Sequence, residues 1–436
     1  MSQMSIIHNI HSKMKKESQI VQHTLLELSR KLSEKYEANI YLKREDNQHC
    51  RSFKIRGAFA YFSKLTEDQK SKDIDRHIYI FIYIILTYLY FIGIVTASDG
   101  NFALAVSYLC NQYKIKGYIF LPNVCQKQKI ENIQQFGQEY VEIKLVNGGF
   151  YEDAVKYAKE FSQLNKISYL SSFDDQTMID GNGTIALEVL QDLETDLDYC
   201  FVPVGGGGLA AGVSLVLSQL SPDTKCIGVE PDGASSMSKS LKEGQVVVLD
   251  SISRYCDGSS IRRVGDLPFK ICKEKLSQVH VVQEGHISTT ILFLYDIGII
   301  AEPAGALSVA ALDFFKDEIK GKNVVCILAG GNTELSRLDE FKEHSLLYEG
   351  LKYFFLINFP MRQGVLKEFI VKCLGPTDEI CQLQFHKKPN RENGPALVTI
   401  EVRKKEEILK IQENMKKINL KYQIINEQRE LYDLLF

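Results

Sequence analysis

YCFVPVGGGGLAAG, residues 199–212, is the stretch on which the fold turns. Residues 199–204 are apolar, aromatic or β-branched in character and read as a buried strand. Gly205, Gly206, Gly207 and Gly208 follow, and Leu209 with its small neighbours opens a helix. Only glycine lets successive backbone N–H groups converge on one point. With the amino end of a helix behind them, such groups form a site for an anion. The spacing is not G-x-x-x-x-G-K-[ST], and it is not G-x-G-x-x-G with an acid after a second strand. A nucleoside triphosphate and a dinucleotide are therefore disfavoured, and a small phosphorylated cofactor fits better. A tight turn without a ligand is the plainer alternative.

Outward from this stretch, residues 1–340 alternate short β-rich runs with helical patterns. Strands are expected at 38–43, 117–121, 141–146, 199–204, 226–230 and 323–329, and helices at 151–165 and 184–193. The alternation predicts an α/β fold with mostly parallel strands in two lobes. Such sheets bind ligands at the carboxyl ends of their strands. Near residue 345 the texture changes. A strand, a loop and an amphipathic helix precede two paired strands around PNRENGP. A lysine-rich helix at 405–418 and a strand at 421–426 follow. The order β-α-β-β-α-β is ferredoxin-like and predicts a separate module over 345–436.

The chain has 436 residues, 45% of them apolar and 25% charged, with a net charge of −3. That suits two or three domains. No clustered basic surface points to nucleic acid. The ten cysteines include no C-x-x-C pair, so zinc and thioredoxin-type readings lack support. Reduced thiols in the cytoplasm are the expectation. Residues 1–16 carry three lysines, no acid and no arginine, which makes a mitochondrial presequence the weaker alternative. Residues 78–95 form eighteen consecutive residues without a charge. A membrane span there would have to loop out of a compact α/β domain, so it is disfavoured. An extra strand or helix, or a translated intron over about 74–92, are the other readings, and the composition favours the intron.

The stretch 41–58, YLKREDNQHCRSFKIRGA, crowds two acids and five bases around Phe53 and Lys54. A lysine nucleophile needs a partly deprotonated amine, which burial supplies. Lysine forms Schiff bases with carbonyl compounds and with pyridoxal phosphate. One lysine and one phosphate cup make a minimal kit for that cofactor. Alone, the stretch reads more simply as a surface lysine, or one ion-paired near Glu45 and Asp46.

The combination S-F-K-I-R-G-A with G-G-G-G-L resembles the threonine dehydratases of the fold-type II pyridoxal-phosphate enzymes. YLKRED (41–46), SDGN (98–101), GVEP (228–231), CDGSSIRRVGD (256–266), EPAGALSVAAL (302–312) and AGGN (329–332) agree, in the right order. The segment YEGLKYFFLINFPMRQGVLKEF resembles the family's ACT-like regulatory module, in the variant with one such module. The resemblance implies that Lys54 holds pyridoxal 5'-phosphate covalently and removes the substrate α-proton. It implies backbone amides from Gly205, Gly206, Gly207, Gly208 and Leu209 on the phosphate. Asn101 would bond the ring's 3-oxygen, Phe53 would pack near the ring, and Glu302 would lie on the far side. Ser98, Asp99, Gly100 and Asn101 would hold the substrate carboxylate. The implied reaction converts threonine, or serine by the same route, to a keto acid and ammonia. Isoleucine would be the feedback effector and the chain a homo-oligomer, dimer or tetramer. A degradative serine/threonine dehydratase, a serine racemase relative and a catalytically impaired amino-acid-binding homologue are the rival readings.

Three departures stand out. Ala329 replaces the serine whose hydroxyl faces the pyridine nitrogen in the family. S-A-G-N-H becomes S-D-G-N-F, which brings Asp99 near a carboxylate site. The third is the insertion near 74–92, between Lys54 and Asn101. The usual T-P-L is also T-L-L at 24–26, a minor change. Glu230 matches a carboxylate that serine racemases use for a divalent ion, but Ser236 stands where they place a second acid. No metal is expected.

Overall fold

A computed structural model describes residues 2–70, 93–98, 100–148, 151–385, 392–426 and 428, with no account of the side chains of 66–70. The anomalous segment 74–92 and Asp99 lie outside the described residues. The chain divides into two compact units: Met1–Glu284 with Leu294–Thr333, and Gly285–Phe293 with Glu334–Phe436.

The first unit holds two sheets. One has the order β1 (Leu26–Leu28), β2 (Asn39–Arg44), β10 (Asn323–Leu328), β7 (Tyr199–Pro203), β8 (Lys225–Pro231), β9 (Gln278–Val282). β1 is antiparallel to β2 and the other pairings are parallel. The second sheet is all parallel, in the order β5 (Val141–Val146), β4 (Lys116–Pro122), β3 (Gly93–Ala97), β6 (Ser168–Tyr169). β3 and β7 are buried along their whole length, as continuous apolar runs in parallel sheets require. The strands expected from sequence form within one or two residues of their expected ends.

The helix expected at 184–193 instead spans Gln176–Asp192. Asp175 caps it, its carboxylate accepting from Met178 N at 3.1 Å. Glycine weakens a helix, yet Gly181 and Gly183 serve packing. A Cβ on Gly181 would stand 2.6 Å from the Arg56 carbonyl oxygen. Three helices, Lys54–Lys70, Gln176–Asp192 and Gly208–Leu220, approach closely because of them. The close contact offsets the cost of about 1 kcal/mol that a helical glycine carries.

The second unit contains the antiparallel sheet β12 (Glu379–Phe385), β13 (Asn393–Glu401), β11 (Lys352–Pro360), β14 (Lys421–Ile424). Helices Val365–Cys373 and Glu407–Lys417 follow β11 and β13, which gives the expected β-α-β-β-α-β order. Phe355, Ile357, Phe359, Phe369, Val398, Ile408 and Met415 form its core. Among the described residues no helix is long and apolar enough to cross a membrane.

Candidate active site

Four strands end where four loops meet. β2 runs into residues 45–53 and the helix that starts at Lys54; β3 into Ser98; β7 into the four glycines; β10 into Ala329–Asn332. Because β2 and β10 are parallel neighbours, their carboxyl ends lie side by side. Three hydrogen bonds join the loops that follow: Phe53 N to Ala329 O at 3.0 Å, Gly331 N to Arg51 O at 2.9 Å, and Asn332 Nδ2 to Cys50 O at 2.8 Å.

Lys54 is half-buried by surface area, yet its amine is crowded by protein. Burial lowers its pKa to about 8, against a smaller opposing pull from Glu302. The amine donates to the carbonyl of Ser172 at 3.3 Å and lies 5.1 Å from the Phe53 ring centre and 6.0 Å from that of Phe102. It does not pair with Glu45 or Asp46. Arg56 takes Glu45 in a bidentate pair at 2.7 Å, and Arg44 takes Asp46 at 2.8 Å. The crowd of charges at 41–58 thus resolves without Lys54. Arg56 also binds both oxygens of Glu188 at 2.7 Å, and Lys43 binds Glu188 and the Thr24 carbonyl at 2.7 Å. These side chains are almost wholly buried and balance in charge. Burial acts to raise the pKa of Glu188, but the two cations hold it well below the carboxylate range.

Gly206, Gly207, Gly208 and Leu209 are buried and Gly205 is half-buried. A Cβ on Gly206 would meet the Phe173 ring at 2.3 Å, and Gly207 has φ +90°. Both positions therefore require glycine. Carbonyl groups of this turn are engaged: Gly206 O accepts from Gly265 N at 3.1 Å and Gly207 O from Ala211 N at 2.9 Å. Among the described residues, the N–H groups of Gly205 to Leu209 meet no protein acceptor. Buried N–H groups without an acceptor are rare and mark an anion site. Phe173, which walls this cup, directly follows Ser172, which receives the Lys54 amine. The two expected halves of the site converge on one dipeptide.

Asn101 opens the helix Asn101–Tyr113, and its Nδ2 donates to Glu302 Oε1 at 2.6 Å. Gly100 N donates to Ser98 Oγ at 3.3 Å. Burial, then the nearby charge of Asp257, push the Glu302 carboxyl up to about 8, although the Asn101 bond opposes this. Ala329 is buried and presents only a methyl group. Lys54, Phe53, Asn101, Glu302 and Ala329 are thus joined through one set of contacts. Asn332 belongs to this set and did not emerge from sequence. It donates to Asn101 Oδ1 at 2.7 Å, and its place at the end of AGGN, parallel to Asn101 at the end of SDGN, was the available signal.

Two places bear on a metal. Both oxygens of buried Glu230 accept backbone N–H bonds at 2.7 Å, from Met237 and Ser238. His11, His23 and Glu188 bring three ligand atoms within 4.8 Å of one another. There, Arg56 and Lys43 already occupy the Glu188 oxygens, and two such cations repel a third.

A family model described as pyridoxal-phosphate dependent enzyme matches residues 17–330. A second, the C-terminal regulatory domain of threonine dehydratase, matches 343–435. The chain is 43% identical to the biosynthetic L-threonine dehydratase of Halalkalibacterium halodurans over 95% of each chain. It is 42% identical to that of Bacillus subtilis, over 95% of this chain and 94% of the relative. The processed form of threonine deaminase isoform 2 from Solanum lycopersicum superposes with a TM-score of 0.66 at 34% identity, covering 75% of this chain and 89% of that one. Catalytic fold and glycine cup thus define a pyridoxal-phosphate enzyme of fold type II. The chain belongs to the pyridoxal-phosphate dependent enzyme family and carries the threonine dehydratase regulatory domain.

Proposed function

We propose that this protein dehydrates and deaminates L-threonine to 2-oxobutanoate and ammonia, the first step of isoleucine biosynthesis. One observation carries the reading. A desolvated lysine amine and a cup of unpaired N–H groups meet at Ser172-Phe173, in a chain similar over its length to biosynthetic L-threonine dehydratases.

The N–H groups of Gly205 to Leu209 hold the cofactor phosphate. Phe53 would flank the ring, and Asn101 would donate to the 3-oxygen. Ala329 would leave the ring nitrogen without a hydroxyl partner. Ser98, Gly100 and Asn101 bind the substrate carboxylate at the amino end of the helix Asn101–Tyr113, where backbone dipoles favour a negative charge; Asp99, assigned with them from sequence, lies outside the described residues. When bound, pyridoxal phosphate supplies an electron sink that makes the substrate α-proton acidic. Lys54 takes that proton. With a pKa near 8, its amine is neutral in a useful fraction at physiological pH, where an ordinary lysine is not. Phe53 and Phe102 shield it from water.

Residues 1–340 form the catalytic part and 345–436 the regulatory part, which binds isoleucine and couples to the active site. We place the protein in the cytoplasm, as a homo-oligomer. The test is formation of 2-oxobutanoate from threonine, with and without isoleucine. Threonine turnover lowered by isoleucine is expected. A cofactor-loaded protein that yields no keto acid from threonine overturns the reading.

A further inference from the structure

We infer that Asn332 is a positioning residue that fixes which edge of the Asn101 side-chain amide faces the cofactor. The inference rests on the role proposed above for Asn101. It starts from a backbone carbonyl, Cys50 O, which accepts hydrogen bonds and cannot donate. Asn332 has an atom 2.8 Å from it, so that atom is its amide nitrogen. The same nitrogen lies 2.7 Å from the Asn101 amide, so the Asn101 atom facing it is the oxygen. The nitrogen of Asn101 therefore points the other way, 2.6 Å from Glu302 Oε1. Glu302 takes one of its two protons, and the second is left to donate to the 3-oxygen.

Without Asn332, the Glu302 contact alone orients the Asn101 amide, and a buried carboxyl that holds its proton can donate to the amide oxygen as well as accept from the nitrogen; the terminal torsion itself is broad and roughly two-fold. The reversed amide would set oxygen against the cofactor's phenolic oxygen, acceptor against acceptor. Asn332 is itself held by strand pairing. It follows β10, whose neighbour β2 leads to Cys50. Direction thus passes from a main-chain oxygen, through two asparagines, to the donor.

The experiment uses the full-length holoenzyme. Asn332→Asp replaces the donor with a carboxylate and so reverses Asn101. Asn332→Ala removes the anchor. In both, pyridoxal phosphate affinity, measured by equilibrium dialysis, should fall by about tenfold or more. The visible absorption band of the bound cofactor should lose intensity to the near ultraviolet. Asn101→Ala provides the control. If Asn332 acts through Asn101, adding Asn332→Ala to that variant changes neither affinity nor spectrum. An equal loss in both backgrounds would mark a merely structural role and overturn the inference, as would an unchanged spectrum and affinity in Asn332→Ala. This cycle decides the matter even where Asn332→Asp is insoluble. Failure of the wild-type protein to show a visible band with pyridoxal phosphate is a different result: it overturns the cofactor site itself, and the inference with it.

Discussion

The amine of Lys54 lies 3.3 Å from the carbonyl oxygen of Ser172, although 118 positions separate the two in sequence. Ser172 is buried, and its neighbour Phe173 lies against the glycine turn. The dipeptide Ser172-Phe173 thereby links the lysine to the glycine turn.

Lys54→Ala should abolish turnover and covalent cofactor retention. Borohydride reduction of the wild type, followed by peptide mapping, should place the label on Lys54. Label on another lysine would remove the assigned role. The pH dependence follows from the amine's pKa of about 8. Only the neutral amine attacks, so recombination of cofactor-free protein with pyridoxal phosphate should accelerate as pH rises through about 8 and level off above. An ordinary lysine would keep accelerating to about 10.4.

Gly206→Ala should lower cofactor affinity by about tenfold or more, because the new methyl overlaps the Phe173 ring and the N–H cup must distort. Calorimetric titration of pyridoxal phosphate into cofactor-free protein measures this. Wild-type affinity would show that the cup lies elsewhere.

Glu302→Gln should stabilise the cofactor-free protein more at pH 9 than at pH 5. Burial raises the folded-state pKa of Glu302 to about 8, against about 4.3 when unfolded. The folded state thus holds the proton more tightly between those values. Its stability penalty grows as pH rises through this window and is complete above about 8. Glutamine does not ionise and escapes it. Urea midpoints at the two pH values give the comparison, and equal gains would contradict the buried-carboxyl assignment.

Glu188→Ala should cost about 3–5 kcal/mol, since it leaves Arg56 and Lys43 buried with too little negative charge. Urea denaturation would show it. A loss below about 1 kcal/mol, the range of a surface pair, would mean the cluster is hydrated.

Ala329→Ser should tighten cofactor binding by about two- to tenfold, the worth of one neutral hydrogen bond of about 0.5–1.5 kcal/mol. Affinity that stays flat or falls would show that the alanine methyl is packed where a hydroxyl finds no acceptor.

Strand positions were legible where a parallel strand buried on both faces is written as a continuous apolar run, as in β7; β3, which begins inside the uncharged run 78–95, was not among the expected strands. The start of the helix Gln176–Asp192 was not, because glycine at 181 lowers helix propensity locally while its reason is tertiary: the Arg56 backbone needs the space. The charge crowding at 41–58 was visible. Its resolution was not, because Glu188, the second partner of Arg56, lies 132 positions away. Lys54 and the glycines stood out since each breaks a local rule. Asn332 breaks none: the pairing of β2 with β10 brings it to Cys50, and Asn101, 231 positions away at the end of β3, meets it from the other sheet.

That pairing carries a consequence for biosynthesis. β10 and the loop behind it are made long after Lys54 has left the ribosome, yet they supply the Ala329 carbonyl and Asn332 that fix the lysine's surroundings. A nascent chain cannot assemble this pocket until residue 332 is out of the exit tunnel, and a prematurely terminated product ending before β10 should be unable to retain the coenzyme.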